Sequence, residues 1–282
     1  RLIRRQRQMC IRDSVCSLFG KDNIVGIEEG GFKQAEAVFH DCHMQVVKLP
    51  VDEEGITLEG LRQANLKLLY LNSSSGGYHG HPIKQQRRLE IIEYARANQV
   101  YIIEDDHNGE LKFNTKPIDA MSKLDNDHII YIGSFSKLLL PSIRISYMAL
   151  PNQLVQLFYE KSRDYHQTAS KLEQLALAMY VEDGQLARHL KRLRKHYRNK
   201  STHLLQKLRT TFPQHKFEVY ETSLKITMAI KADLVDQYIA LAKQNDILVN
   251  KNSNNQITLS FSGILDQDID EAVDRLKEIW IN

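Results

Sequence analysis

The chain has 282 residues, a length that predicts two domains or one large one. Hydrophobic residues make up 42% and charged residues 26%, so a buried core can form and global disorder is excluded. No apolar run approaches the roughly 18 residues that a membrane-spanning helix needs. Three cysteines without a CxxC motif argue against a disulfide scaffold and a zinc ribbon, and indicate a reducing compartment.

The net charge of +3 comes from the start of the chain. Residues 1–13 hold five arginines and one acid, which leaves 33 basic and 34 acidic residues in the remainder. The body of the chain is therefore not basic, and composition does not favour nucleic-acid binding. A basic arm and a transit peptide are alternatives for residues 1–13. However, the run from Met9 to Ser14 resembles translated sequencing-adapter sequence. We therefore expect residues 1–13 to be a non-native head, and a natural parent to extend further towards its N-terminus.

From Asn23 to Leu150, strand-like and helix-like segments alternate. This alternation predicts an α/β domain with a largely parallel sheet, whose ligands bind at the carboxyl ends of the strands. The predicted strands cover residues 23–27, 43–49, 67–72, 99–103, 128–132 and 145–150. The predicted helices cover 32–40, 57–64 with Thr57 as a possible cap, and 84–98 with Leu89, Ile92 and Ala95 on one face.

After Pro151 the pattern becomes helical, and a long amphipathic helix is predicted over 185–209. This helix carries nine Lys/Arg residues and no acid. We interpret its basic face as the solvated side of a helix between two domains, with nucleic-acid binding as the alternative. A smaller α+β unit follows, with strands at 217–220, 224–230, 247–250 and 257–261 and a final helix at 267–280 after Asp266. The predicted division is an incomplete large domain over 14–190 and a small C-terminal domain over 191–282.

Three polar groups lie at or beyond predicted strand ends. Glu104-Asp105-Asp106 follows one apolar run, Ser134-Phe135-Ser136-Lys137 follows the next, and Arg144 lies seven residues after the lysine. A lysine can form an imine with an aldehyde cofactor, and a carboxylate can keep a ring nitrogen protonated. Hydroxyl groups and a guanidinium can bind a phosphate. The ordered set matches the needs of pyridoxal 5'-phosphate, although each residue alone is a weak signal.

These motifs identify a family. The stretches YIIEDDHNGELKFNTKPIDAM and YIGSFSKLLLPSIRISYMALP resemble the aminotransferase-like domain of GntR/MocR-type transcriptional regulators. That family has the fold type I, class I/II aminotransferase fold: a large domain with a mostly parallel sheet and a small α+β domain. The resemblance implies that Lys137 carries the cofactor as an aldimine and acts as the catalytic proton shuttle. It also implies cofactor contacts, with Asp105 pairing with the pyridine nitrogen, Ser134, Ser136 and Arg144 contacting the phosphate, and Phe32 stacking on the ring. For Phe32, core packing is an equal alternative.

The sequence departs from the family pattern at several positions. His107 stands where the family has a tyrosine that bonds the phenolic oxygen of the cofactor, and Gly76 or a serine stands where it has an amide side chain. Thr258 replaces the expected substrate-carboxylate arginine, and Gly30 replaces a usual proline. We also expect the family's phosphate-cup segment and its DNA-binding winged helix to lie upstream of this chain.

The leading hypothesis for the function is a pyridoxal-phosphate-binding domain of a MocR/GntR-type regulator that senses the cofactor or its amino-acid adduct through Lys137. The alternatives are a free-standing class I/II aminotransferase and a cofactor-free dimerisation module. The resemblance favours the transaminase class but leaves open whether this chain is an active enzyme. The expected partners are an amino acid or amine and a second copy of the chain in the cytoplasm, with no metal and no membrane. DNA is expected to bind only through the winged helix outside this chain.

Overall fold

The computed structural model describes residues 15–74, 81–106, 109–114, 119–136, 138–139, 143, 145–163, 169–252 and 255–281. These residues divide into two compact units. The first comprises the described residues within Arg1–Glu110 and Pro117–Leu186, and the second those within Leu111–Lys116 and Ala187–Asn282.

Six strands form the central sheet of the first unit. They are β1 (Ile24–Glu28), β2 (Gln45–Leu49), β5 (Leu68–Leu71), β6 (Tyr101–Asp106), β7 (Ile129–Ser134) and β8 (Ser146–Ala149). Two further strands, β3 (Val51–Asp52) and β4 (Gly55–Ile56), form a small separate hairpin. The order in the sheet is β2-β1-β5-β6-β7-β8, in which β8 runs antiparallel to β7 and all other neighbours are parallel. The predicted largely parallel sheet is confirmed.

The helices of the first unit cover both faces of this sheet, as a parallel sheet requires. They are α1 (Lys33–Asp41), α2 (Leu58–Gln63), α3 (Gln85–Asn98) and α4 (Asn152–Ser162), whereas a further helix, α5 (Lys171–Glu182), has no buried residue. One face of the sheet packs against α1, with Phe39 and Tyr70 edge to face. The other face packs against α3. The Thr57 side chain accepts the Gly60 N–H at the start of α2, which confirms the predicted cap.

Two details of the first unit differ from the sequence prediction. Leu89 is 40% exposed rather than on the buried face of α3. The buried positions of α3 include Arg88, Ile91, Ile92 and Ala95. Arg88 can be buried because its guanidinium donates hydrogen bonds to the carbonyls of residues 73, 83 and 119. In addition, β6 continues through the predicted acidic end, so all three acids have strand geometry.

The second unit contains an antiparallel sheet of four strands, β9 (Lys216–Tyr220), β10 (Lys225–Ala229), β11 (Asn250–Lys251) and β12 (Ile257–Ser260), in the order β11-β12-β10-β9. Its helices are α6 (Gln185–Thr211), which begins two residues before the unit, α7 (Val235–Gln244) and α8 (Ile269–Ile281). The Glu221 carboxylate accepts the N–H groups of Phe113 and Asn114, and the Phe113 ring packs edge to face on Phe261. These contacts explain why residues 111–114 belong to this unit.

Within the described ranges, no helix is long and apolar enough to cross a membrane.

Candidate active site

Asp105 is the buried carboxylate at the carboxyl end of β6. It is fully buried, and the Tyr70 hydroxyl donates a hydrogen bond of 2.5 Å to its Oδ2. Side chains alternate between the two faces of a strand, so Asp105 lies on the face of Ile103, which packs in the same core as Tyr70. The site therefore has a carboxylate whose orientation is fixed by a phenol from the neighbouring strand.

Glu104 lies on the opposite face and supports loops. Its Oε1 accepts the Ser73 hydroxyl at 2.5 Å and the Met121 N–H at 2.9 Å, and its Oε2 accepts the Ser122 N–H at 3.0 Å. Burial raises the pKa of Glu104 above its usual value, and these hydrogen bonds act in the opposite direction. With its oxygens engaged in this way, Glu104 anchors two segments beside the sheet edge.

Asp106 belongs to a surface cluster with two tyrosines. Its Oδ1 accepts the Gly109 N–H at 2.9 Å, and its Oδ2 accepts the Tyr131 hydroxyl at 3.1 Å. The rings of Tyr131 and Tyr147 lie 5.9 Å apart. Burial, followed by the charge of Asp106, raises the pKa of Tyr131. The acidic triplet thus divides into one inward carboxylate and two that hold loops.

Ser134 ends β7, next to the end of β6. Asp105 is the register partner of Ile132, so Ser134 lies two residues further along and on the same face as Asp105. The Ser136 N–H approaches the Ser134 Oγ at 3.3 Å, and the Ser136 hydroxyl donates to the Ile143 carbonyl at 2.9 Å. The Phe135 N–H donates to the Ile145 carbonyl at 3.1 Å. These bonds close the loop between β7 and β8 at its base.

Phe32 follows a sharp turn after β1 and packs, partly buried, against the core on the face of the sheet that carries Asp105. Gly30 has φ of +74°, and a Cβ on Gly31 would lie 2.8 Å from the Glu28 carbonyl oxygen. Proline requires φ near −65° and cannot adopt this conformation. Gly30, which stands where the family usually has proline, therefore allows this turn a backbone conformation that proline could not adopt.

Glu28 is a buried carboxyl group at the end of β1 that the sequence prediction missed. It is 3% exposed, and its Oε2 accepts the Asn72 N–H at 3.2 Å. Its Oε1 has no hydrogen-bond partner among the described residues. Burial raises the pKa of Glu28 to about 7. An acidic residue at the end of an apolar strand is the only sequence signal for it, and that signal does not distinguish burial from exposure.

The structure describes four of the seven predicted site residues. Asp105 and Ser134 share one face of the sheet, Phe32 packs against the core on that face, and Ser136 belongs to the loop that follows Ser134. Three predicted residues, Lys137, His107 and Arg144, lie outside the described residues, as does Gly76. The roles of all seven residues stay predictions.

Thr258 lies on β12 of the second unit. It is 4% exposed, and its Oγ1 has no hydrogen-bond partner in the described part of the chain. A buried neutral hydroxyl stands where the family resemblance predicts a cationic side chain.

The described ranges hold no group of three or more His, Cys, Asp or Glu side chains suited to a metal ion.

Comparison with known proteins identifies relatives over most of the chain. The family model for aminotransferase class I and II matches residues 11–276. An uncharacterized HTH-type transcriptional regulator, YdeL of Bacillus subtilis, is 31% identical over 94% of this chain and 60% of its own length. The probable rhizopine catabolism regulatory protein MocR of Rhizobium meliloti is 31% identical over 64% of this chain and 37% of its own length. The chain thus spans less than two thirds of these curated relatives.

Solved structures show the same fold. The α-aminoadipate aminotransferase LysN of Thermus thermophilus superimposes with a TM-score of 0.75 at 22% identity, over 94% of this chain and 74% of that one. The kynurenine aminotransferase of Pyrococcus horikoshii superimposes with a TM-score of 0.74 at 21% identity, over 98% and 79%. The expected fold type I architecture and the predicted resemblance to MocR-type regulators are confirmed. The chain belongs to the aminotransferase class I and II family.

Proposed function

We propose that this chain is the pyridoxal-phosphate-binding, aminotransferase-like domain of a MocR/GntR-type transcriptional regulator, and that it senses the cofactor or its adduct with an amino acid. The observation that carries the proposal is Asp105, a fully buried carboxylate held by Tyr70 at the carboxyl edge of a parallel sheet. A carboxylate in that position suits a cationic ring N–H. The regulator names of YdeL and MocR support the sensing role over turnover.

The residues present fit the cofactor. Asp105 would hold the protonated pyridine nitrogen, and Phe32 would pack on the ring from the same side of the sheet. Ser134 would offer its hydroxyl to the phosphate. Because the Ser136 hydroxyl donates its proton to the Ile143 carbonyl, Ser136 would act on the phosphate through the loop that it closes rather than by donating to it directly.

From the resemblance, Lys137 would bind the cofactor aldehyde covalently, Arg144 would bind its phosphate, and His107 would bond its phenolic oxygen. When bound, pyridoxal phosphate supplies an aldehyde and an electron sink for a substrate amine. Lys137 would also move the proton that such chemistry requires.

Thr258 disfavours the alternative of a free-standing aminotransferase. A guanidinium binds a carboxylate bidentately, whereas a threonine hydroxyl supplies one neutral donor. Thr258 is also 4% exposed, so its hydroxyl has little access to a ligand. We therefore expect efficient transamination of α-amino acids to be absent even where the cofactor binds, and we expect the effector to be an amino acid or amine.

We further propose that the chain forms a homodimer in the cytoplasm. Helix α5 has no buried residue, and Leu172, Leu175 and Met179 are 77%, 61% and 58% exposed. A contiguous apolar surface of this kind is typical of an interface. Its ends also complement each other, because an antiparallel second copy of α5 would set Lys171 against Glu182.

The test is reconstitution with pyridoxal phosphate, followed by borohydride reduction and peptide mass spectrometry. We expect one reduced adduct, on Lys137, that the Lys137→Ala variant loses and the Lys161→Ala variant keeps, since Lys161 is an exposed lysine on α4. Asp105→Asn should weaken binding, while the exposed control Asp127→Asn should not. A folded chain without an adduct at Lys137 would overturn the proposal.

A further inference from the structure

Tyr70 brings a hydroxyl group to Asp105 from the neighbouring strand. In the pairing of β5 with β6, Tyr70 lies opposite Ile103, two residues before Asp105 and on the same face of the sheet. Two residues of strand cover about 7 Å, so a side chain at position 70 must be long to reach Asp105. The Tyr70 hydroxyl does reach it and donates to Oδ2 at 2.5 Å, although Tyr70 is only 2% exposed and Asp105 is fully buried.

The ring of Tyr70 is itself held in place by helix α1. The Phe39 ring packs edge to face on the Tyr70 ring, with the two centroids 5.9 Å apart and an angle of 71° between the ring planes. Phe39 is fully buried, so this contact has no solvent on its far side. Edge-to-face pairs favour one relative orientation of the two rings. The contact therefore directs the Tyr70 hydroxyl to a fixed position beside Asp105.

The core on this face of the sheet is otherwise apolar. Among the buried members of this core that the structure describes, Tyr70 alone carries a hydroxyl group, and the others are aliphatic, aromatic or sulfur-containing. Burial among such side chains favours a neutral carboxylic acid, whereas a hydrogen bond donated to the carboxylate favours the anion. The bond from Tyr70 therefore acts against the effect of burial and favours the ionised form of Asp105.

We propose that Tyr70 is a positioning residue that makes the site select a cofactor with a protonated ring nitrogen. This inference rests on the proposed function and adds to it a residue that acts through Asp105. An oriented, ionised carboxylate accepts a charged N–H group more strongly than a neutral carboxylic acid does. A carboxylate has about four lone-pair sites on its two oxygens, so one bond from Tyr70 does not exhaust its capacity to accept. Tyr70 therefore contributes selectivity for the ring nitrogen.

The experiment compares pyridoxal 5'-phosphate with its 1-deaza analogue, in which a C–H group replaces the ring nitrogen. Equilibrium dialysis of the full 282-residue chain gives a dissociation constant for each compound. The ratio of the constant of the analogue to that of pyridoxal phosphate measures selectivity for the ring nitrogen. Tyr70→Phe removes the hydroxyl, and the matched control Tyr94→Phe removes a hydroxyl that donates to the Ala64 carbonyl at 3.2 Å. Far-UV circular dichroism verifies the fold of both variants.

We expect the wild type to prefer pyridoxal phosphate, and Tyr70→Phe to lower the ratio by about tenfold, the lower end of what a hydrogen bond to a charged group contributes. Tyr94→Phe should leave the ratio unchanged. In the Asp105→Asn background, Tyr70→Phe should lower the ratio no further, because the charge on which Tyr70 acts is gone. Phe39→Leu keeps the Tyr70 hydroxyl but removes its aromatic support, and should lower the ratio by about threefold. This variant gives a second measurement if Tyr70→Phe is unstable.

A purely structural role for Tyr70 has a different outcome. Tyr70→Phe would then weaken the binding of both compounds by the same factor and leave their ratio unchanged, which would overturn this inference while the proposed function stands. An equal fall of the ratio in Tyr94→Phe would overturn it in the same way. So would a wild-type chain that binds both compounds equally tightly, because the ring nitrogen would then not be recognised. A folded wild-type chain that binds neither compound would instead overturn the proposed function, and this inference with it.

Discussion

Glu28 makes the stability of the first unit depend on pH. Its carboxyl group is buried at the end of β1, and one of its oxygens has no hydrogen-bond partner among the described residues. Burial raises its pKa from 4.5 to about 7. The substitution Glu28→Gln keeps the size of the side chain and resembles its protonated, neutral form, but the glutamine cannot ionise. The difference between this variant and the wild type therefore isolates the cost of ionising Glu28.

The sign of the effect follows from the raised pKa. Below about pH 4.5, both the folded and the unfolded chain hold the proton, and Glu28 adds no pH-dependent cost. As the pH rises towards about 7, the unfolded chain releases its proton first, so the stability of the wild type falls; above about 7 the loss is complete. A tenfold change in a protonation equilibrium corresponds to about 1.4 kcal/mol, so the whole loss is about 3 kcal/mol. The Glu28→Gln variant should not show this loss.

Urea denaturation followed by far-UV circular dichroism measures the difference. Trp280 is the single tryptophan and lies in the second unit, so its fluorescence is not suited to reporting on Glu28. We expect the stability of Glu28→Gln relative to the wild type to increase by about 3 kcal/mol between pH 4.5 and pH 8. The exposed neighbour Glu29 provides the matched control Glu29→Gln. If the wild type and Glu28→Gln change in parallel over this range, Glu28 is not a buried acid with a raised pKa.

Three other variants test the site, the turn and the interface. Tyr70→Phe removes the hydrogen-bond donor to Asp105 and should lower the free energy of unfolding by about 1.5–3 kcal/mol. In the Asp105→Asn background the same substitution should cost less, because no buried charge remains, and an equal cost would contradict the hydrogen bond. In urea denaturation, Gly30→Pro should lower the free energy of unfolding by about 3 kcal/mol and Gly30→Ala by about 1 kcal/mol, because the Gly30 φ of +74° excludes proline. A Gly30→Pro variant with unchanged stability would refute the turn geometry. Leu175→Asp should convert a dimer into a monomer in sedimentation experiments, and an unchanged mass would exclude α5 from the interface.

Local signals predicted most of the elements. The central strands β1, β5, β6 and β7 have apolar runs, because a parallel sheet buries both faces of its inner strands, and such runs are visible without knowledge of the fold. Thr57 marked the start of α2 correctly. Leu89 was misplaced because helical periodicity alone does not show that Arg88 finds carbonyl partners from three other segments. An arginine is normally assigned to the surface, and only the tertiary structure shows that this one is satisfied inside.

The site was harder to predict than the fold. Asp105 and Ser134 follow strands in the sequence, so their position at one edge of the sheet could be expected. Tyr70 was missed because its bond to Asp105 depends on the pairing of β5 with β6, 35 residues apart. The local clue was a tyrosine within an aliphatic buried strand, since a buried hydroxyl needs a partner. Glu28 gave no comparable clue.

The acidic triplet shows how one strand serves both support and function. Because side chains alternate along β6, only Asp105 can lie on the face of Tyr70, and Glu104 must lie on the other. Glu104 holds Ser73 and the 121–122 turn, so the segments beside the sheet edge are fixed by a residue that does not face Asp105. Replacing each of these two acids in turn by its neutral amide should therefore damage different properties of the chain. Glu104→Gln should lower stability with or without ligand, because it weakens the bonds to two loops, whereas Asp105→Asn should act mainly on cofactor binding.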